Sequence, residues 1–204
     1  TNASTTNFSV SNTLTLNSVN YKTPSGDGAS STALMTSGTG SLTWNYPDWQ
    51  EVGELTATSA QKALNINSFT HNGLSLKFEL SITGFSASDG AIAIQFNNDV
   101  AENYAFNRFQ DYGSATPGAA SRVLTKMATS SPGYFEFDVG NRSATPKIGK
   151  WTGAYSTGPG TPVLDTGSFS WNNTSAQITS VSMVQDGTGT FNTGSRLTIY
   201  AKRN

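Results

Sequence analysis

Cysteine is absent from this 204-residue chain, so disulfide bridges, thiolate nucleophiles and cysteine-based zinc sites are excluded. Charge is scarce too. Charged residues make up 12% of the chain and nearly cancel, 12 basic against 13 acidic. A globular domain ordinarily carries roughly twice that fraction. The basic residues are scattered, whereas nucleic-acid binding rests on clustered Lys and Arg, so no nucleic-acid partner is expected. Apolar runs extend only a few residues, far short of the roughly 20 a membrane-spanning helix needs, and no membrane insertion is expected. The opening "TNASTTNFSV" has neither a basic start nor an apolar stretch, so it does not read as a secretion signal. Helical periodicity is nearly missing; only "NDVAENYA" could begin a helical turn.

Ser, Thr, Asn and Gly fill the space that charges leave, giving a surface polar by hydroxyls and amides. Within that background the recurring signal is alternation with period two. In "LSLKFELSITGF", Leu74, Leu76, Phe78, Leu80 and Ile82 share one side and Ser75, Lys77, Glu79, Ser81 and Thr83 the other, as in a half-buried strand. "AIAIQF" groups Ile92, Ile94 and Phe96, and "GYFEFDVG" groups Phe135, Phe137 and Val139 against Tyr134, Glu136 and Asp138. "NYAFNRFQDY" sets Tyr104, Phe106 and Arg108 together, and "SRLTIYAK" alternates around Leu197 and Ile199. "AQITSVSMVQ" changes phase near Thr179, which suggests a bulge. Gly- and Pro-rich punctuation separates these runs, including long loops at 111–121 and 152–167. The pattern predicts an all-β chain ending in an antiparallel β-sandwich, jelly-roll-like.

Composition breaks at "NYPDWQEVGE", residues 45–54. Two parts are expected: an N-terminal β segment over 1–49 and a sandwich domain over 50–204. The first holds short strand-like runs at Val19 to Lys22, Ala33 to Thr36 and Ser41 to Trp44, with "SGTG" (Ser37 to Gly40) as a tight turn. These strands lack apolar side chains for a core of their own. Something else must bury them: the sandwich, another copy of the chain, or a larger particle. Leu14, Leu16, Val19, Leu34, Leu42 and Trp44 are the residues expected at an interface between three copies.

The stretch Asn12 to Trp44 resembles a segment of tail fibres and related surface proteins of tailed bacteriophages. The residues that carry the likeness are Tyr21, Pro24, Asp27, Gly28, Leu34, Thr36, Gly38, Gly40, Leu42 and Trp44, in that order. Lys22-Thr23 departs from the pattern, since an aromatic residue more often precedes the proline. Three later pieces are similar to a C-terminal sandwich domain of phage structural proteins: "IQFNNDVAENYAFNRF", "SSPGYFEFDVGNRSATPKIGKW" and "ITSVSMVQDGTGTFNTGSRLTIYAKR", the last shaped like a closing hairpin. The resemblance implies a virion-surface structural protein made in the host cytoplasm, a homotrimer that contacts other virion proteins. It implies host attachment as a tail-fibre-like component, or decoration of the capsid. A secreted carbohydrate-binding module is the alternative from another class.

Chemistry-bearing residues give no catalytic constellation, and neither enzymatic activity nor a cofactor is expected. A glycosidase needs two carboxylates about 5 to 9 Å apart. Glu136 and Asp138, about 7 Å apart on one strand face, meet that spacing but read as a solvent-facing row. Asp99 with Glu102 and Asp48 with Glu51 are the other local pairs. His71 is the single histidine and sits in a turn, "SFTHNGLS". Asn97, Asn98, Asp99 and Glu102 offer oxygen ligands without the spacing of a calcium loop, so no metal is expected. The glycine runs precede strands, not helices, and cannot cradle a phosphate at a helix N-terminus. The sequons at Asn2, Asn7, Asn141, Asn172 and Asn173 are no more than chance supplies in so Asn- and Ser-rich a chain. Aromatic residues in loops are better candidates for touching a glycan. Trp151 and Trp171 bracket the long loop that holds Tyr155, and Tyr112 lies in "DYGSATPG". Tyr112 and Tyr155 are the pair expected to be exposed; Trp151 and Trp171 are either glycan contacts or the buried ends of core strands.

Overall fold

A computed structural model describes residues 13–16, 19–22, 33–36, 42–45, 49–71, 73–87, 90–101, 103–110, 116–119, 123–127, 131–157 and 161–202. Among these residues the chain is all-β, with sixteen strands. They are β1 (Thr13–Leu16), β2 (Val19–Lys22), β3 (Ala33–Thr36), β4 (Leu42–Asn45), β5 (Trp49–Thr56), β6 (Ala63–Ile66), β7 (Ser75–Ile82) and β8 (Gly90–Phe96). There follow β9 (Tyr104–Gln110), β10 (Thr116–Ala119), β11 (Val123–Met127), β12 (Gly133–Gly140), β13 (Lys147–Ser156), β14 (Pro162–Trp171), β15 (Val181–Gln185) and β16 (Arg196–Lys202). No helix of the described residues is long and apolar enough to cross a membrane.

The chain divides into two compact units, Thr1–Gln50 and Glu51–Asn204. In the first, β1 pairs antiparallel with β2, Leu14 opposite Tyr21 and Leu16 opposite Val19. Separately, β3 pairs with β4, Leu34 opposite Trp44 and Thr36 opposite Leu42. Each sheet has two strands only. Leu34 is 45% exposed. The side chains of Leu14, Leu16, Val19, Leu42 and Trp44, and the turn at residues 37–40, lie outside the described residues.

In the second unit an eight-stranded sheet, ordered β10-β9-β14-β13-β12-β7-β16-β5, packs on a four-stranded sheet, ordered β11-β8-β15-β6. The residues that alternate in sequence supply the facing sides. Leu76, Phe78, Leu80, Phe135, Phe137, Leu197 and Ile199 of the large sheet and Ile92, Ile94, Phe96, Val181 and Met183 of the small one are all buried. Phe96 ties the layers together, with its ring 5.8 Å from Phe78, 6.0 Å from Phe169 and 5.5 Å from Trp171. Its strand ends in a turn with Asn97 and Asn98 both at positive φ, closed by the Asp99 amide on the Phe96 carbonyl. Asn tolerates that conformation better than most residues.

Three sequence readings are corrected here. The span 152–167 is not a long loop: β13 and β14 cover most of it as paired ten-residue strands, Trp151 opposite Gly167 and Tyr155 opposite Val163. The glycines that look like punctuation make room for rings on the neighbouring strand. A Cβ on Gly153 would lie 2.0 Å from Phe135 Cδ1, on Gly167 2.3 Å from Trp151 Cη2, and on Gly149 2.4 Å from Phe169 Cζ. In each case the ring belongs to the residue directly across the ladder. Second, residues 186–195 do not close a hairpin, because β15 belongs to the small sheet and β16 to the large one. The crossing is pinned by Lys62, whose ammonium donates to Gln185 Oε1 at 2.8 Å, to the Gly189 carbonyl at 3.0 Å and to the Gly187 carbonyl. Phe191, paired with Gln61 and 5.2 Å from the Phe85 ring, pins it from the core. Third, the phase change near Thr179 marks entry from an irregular segment, since β15 begins only at Val181. The Asn97 side-chain oxygen accepts from the Thr179 and Ser180 amides there.

Candidate functional site

The large sheet turns one face to the core and the other outward, and the outward face differs along its width. On β12, β7 and β16 it carries Tyr134, Glu136, Asp138, Lys77, Glu79, Arg196 and Tyr200. Glu136 lies directly opposite Glu79, and Asp138 opposite Lys77. The Tyr134 hydroxyl donates to Glu136 Oε1 at 3.0 Å. Burial, that hydrogen bond and the negative charge of Glu79 push the Tyr134 phenol well above its usual range. Burial and the charges of Glu79 and Glu51 push Tyr200 the same way. Asp138 is 3.8 Å from Lys150, and Glu54 3.7 Å from Arg196. Glu136 and Asp138 are thus a solvent-facing row engaged with its neighbours.

On β13, β14 and β9 the outward side chains are mostly small and uncharged. Across the register run Ile148, Ser170 and Ala105; then Lys150, Ser168 and Asn107; then Thr152, Thr166 and Phe109; and finally Ala154 and Leu164. Large apolar groups stand out of this lawn: Ile148 at 67% exposure, Phe109 at 42% and Leu164 at 41%. Two adjoining cavities of about 480 and 300 Å³ lie along it and share Ala105, Ile148 and Ser170. The larger extends to Asn103, Pro146 and Asn172, the smaller to Asn107 and Ser168. None of the described lining residues is charged. The Asn107 side-chain oxygen is buried and has no hydrogen-bond partner among the described residues.

The groove rests on a polar interior. Asp165, fully buried, receives Arg108 Nε at 3.0 Å and Arg108 Nη2 at 2.8 Å, with Trp151 Nε1 at 3.3 Å. Lys147, also buried, donates to the Thr145 and Asn173 carbonyls at 2.9 Å and stands 5.9 Å from the Trp171 ring centre. Burial pushes its ammonium pKa down. Under the Asn103 end, Asp99 accepts from Trp171 Nε1 at 2.7 Å, Asn103 Nδ2 at 3.0 Å and the Ala101 amide at 2.9 Å. Burial alone would raise the Asp99 pKa, but these donors outweigh it and hold the carboxyl below its ordinary value. Its oxygens therefore serve as an anchor for the turn and the groove wall. His71 is equally structural: its Nδ1 accepts the Gly73 amide and its Nε2 meets the Ile178 carbonyl at 3.0 Å.

The aromatic residues expected to meet a glycan do not line this surface. Trp151 and Trp171 are 1% and 0% exposed, core members of β13 and β14. Tyr155 is 4% exposed, stacked on Phe135 with centroids 6.4 Å apart, because it shares the inward phase of β13 with Trp151. Its expected exposure is corrected: the strand continues through it. Tyr112 lies outside the described residues. No motif in the local sequence points to Ile148, Ser170, Ala105 or Asn103, and Asn172 enters there only as part of a sequon. One signal was available: Ile148 stands three residues from Trp151, so on a strand the two must face opposite ways.

No family model, curated protein or solved structure matches the chain.

Proposed function

We propose that this chain is a non-enzymatic structural protein of a tailed-bacteriophage particle, a tail-fibre-like component that assembles as a homotrimer and contributes to host-surface attachment. One observation carries the reading: the described residues before β5 form two separate two-stranded sheets. A lone hairpin is marginal in water, and strands of this kind gain stability only when a larger sheet or another chain covers them. Three copies sharing Leu14, Leu16, Val19, Leu34, Leu42 and Trp44 would supply that cover, and the likeness of residues 12–44 to fibre segments points the same way. The sandwich then serves as a rigid head, with docking to other virion proteins left to the N-terminal part. The carboxylates that a hydrolase would use are engaged elsewhere, Glu136 with Tyr134 and Asp138 beside Lys150.

The test is oligomeric state together with location. Light scattering of the full chain at micromolar concentration should report a trimer, and gold-labelled antibody should mark the tail of intact particles. A monomer would remove the trimer. Label spread over the head would replace attachment with capsid decoration, and no label on particles would remove the virion assignment.

A further inference from the structure

We infer that the uncharged groove on the outward face of β9, β14 and β13 binds a neutral glycan segment. The inference deepens the attachment reading by giving it a site and a ligand class. It rests on that reading only for where the glycan comes from.

The argument starts from what the groove offers. Its two cavities, about 480 and 300 Å³, fall in the range of small-ligand sites and run side by side, as a chain of rings requires. Ile148, 67% exposed, stands where both cavities meet. With Pro146 it presents an apolar platform of the kind a sugar ring covers with its C–H face. Around that platform the side chains are amides and hydroxyls: Asn103, Asn107, Asn172, Ser168 and Ser170. These pair with vicinal hydroxyls as donors and acceptors alike.

Absence of charge among the described lining residues selects against anionic ligands, because a carboxylate or phosphate taken from water without a cation or aligned donors is unfavourable. Lys150, opposite Ser168 on this face, has its ammonium 3.8 Å from Asp138 on β12. An independent feature points to a donor-bearing ligand. Asn107 lines the smaller cavity, and its buried side-chain oxygen lacks a hydrogen-bond partner among the described residues. Buried acceptors are almost always satisfied in folded proteins, and a turn of the half-buried Asn107 side chain toward the cavity lets a ligand hydroxyl supply the missing donor. The walls are held in place beforehand, Asn103 by Asp99 and the strands by their registered ladder. Little ordering is left to be done on binding.

The test uses the full chain and an immobilised panel of short oligosaccharides. Neutral members are built from glucose, galactose, mannose or N-acetylglucosamine; acidic comparators carry uronic or sialic acids. At least one neutral member should bind, with amide shifts in an NMR titration confined to residues around 103–107, 146–148 and 168–172. Ile148→Asp, at an exposed position, and Ser168→Tyr, which fills the groove, should each weaken binding at least tenfold with unchanged thermal midpoints. Asn107→Leu should weaken it by a similar factor; if that variant fails to fold, the two surface variants still decide. Binding of acidic members only, no binding at all, or binding unaffected by Ile148→Asp overturns the site. A particle-mounted trimer that binds no neutral oligosaccharide would sink the groove alone. Groove-dependent binding by a chain absent from particles would support the groove and sink the attachment reading.

Discussion

The large sheet is two surfaces in one, and its halves place most of their ions on opposite sides, with Lys150 the outward cation of the second half. Across β12, β7 and β16 the charges stand outside, Glu136, Asp138, Lys77, Glu79 and Arg196, over an interior of Leu76, Phe78, Leu80, Leu197 and Ile199. Across β13, β14 and β9 the ions Lys147, Asp165 and Arg108 turn inward, while Ile148, Leu164 and Phe109 are left outside. The first half is the ordinary amphipathic solution, stabilised by hydrocarbon burial. The second keeps its ions in place through specific partners, since a buried charge is tolerated only when it is paired or hydrogen-bonded. Low surface charge on that half follows from where the ions went, and so does the room for a groove.

The sharpest way to break the contrast is to remove a carboxylate from each half. Asp165→Ala should cost about 3–5 kcal/mol, because the guanidinium of Arg108 and the Trp151 N–H lose their acceptor inside the fold. Glu136→Ala, outward on β12, should stay within about 0.5 kcal/mol. Urea denaturation of both variants measures the difference, and equal losses would show that the two halves are not held differently. A smaller effect, on the order of 1–3 kcal/mol, is expected for Gly153→Ala, whose new methyl would drive into the Phe135 ring. Thermal unfolding checks it; a neutral result would mean that the ring can turn aside.

The smallest effect separates the halves by pH. Tyr134 and Tyr200 have folded-state pKa values raised above the unfolded value of about 10. Their contribution is therefore complete below that pH and lost as pH rises through the folded values. Lys147 acts in the opposite sense: its pKa is lowered by burial, so stability rises with pH between the lowered value and about 10.4. Replacing both tyrosines with Phe should flatten the alkaline decline by less than about 1 kcal/mol per group, since Tyr134 is exposed and Tyr200 only half-buried. Urea midpoints followed across alkaline pH report this, and an unchanged slope would assign the decline elsewhere.

The same contrast decides what could be read from sequence. β7, β12 and β16 were legible because ions and hydrocarbons alternate along them, as at Lys77, Phe78, Glu79 and Leu80. β13 and β14 were not. Gly149, Gly153 and Gly167 look like breaks, and Asp165 in "LDTG" looks like a turn, although each faces a ring or an ion across the ladder. The two tryptophans show the cost of that misreading. Their sequence context fits either surface or core, and the continuous strands β13 and β14 put both Trp151 and Trp171 in the core. The groove was hidden for a different reason. Asn103 and Ala105, Pro146 and Ile148, Ser170 and Asn172 come together only through the β9-β14-β13 order, and strand order is not written in local periodicity.

The position of β16 carries a consequence for how the molecule is made. Strand β16, which follows β8 to β15 in the sequence, lies between β5 and β7, with Leu197 opposite Leu80 and Ile199 opposite Phe78. As the chain leaves the ribosome, β7 and β12 can pair early, yet β7 keeps one open edge until the strands from β8 to β15 have been synthesised and β16 follows them. An unpaired strand edge of this kind templates wrong partners. Pairings so distant in sequence also form slowly. The interval before β16 arrives is the one in which this chain is most exposed to aggregation, and in which a neighbouring copy could pair with β7 in its place.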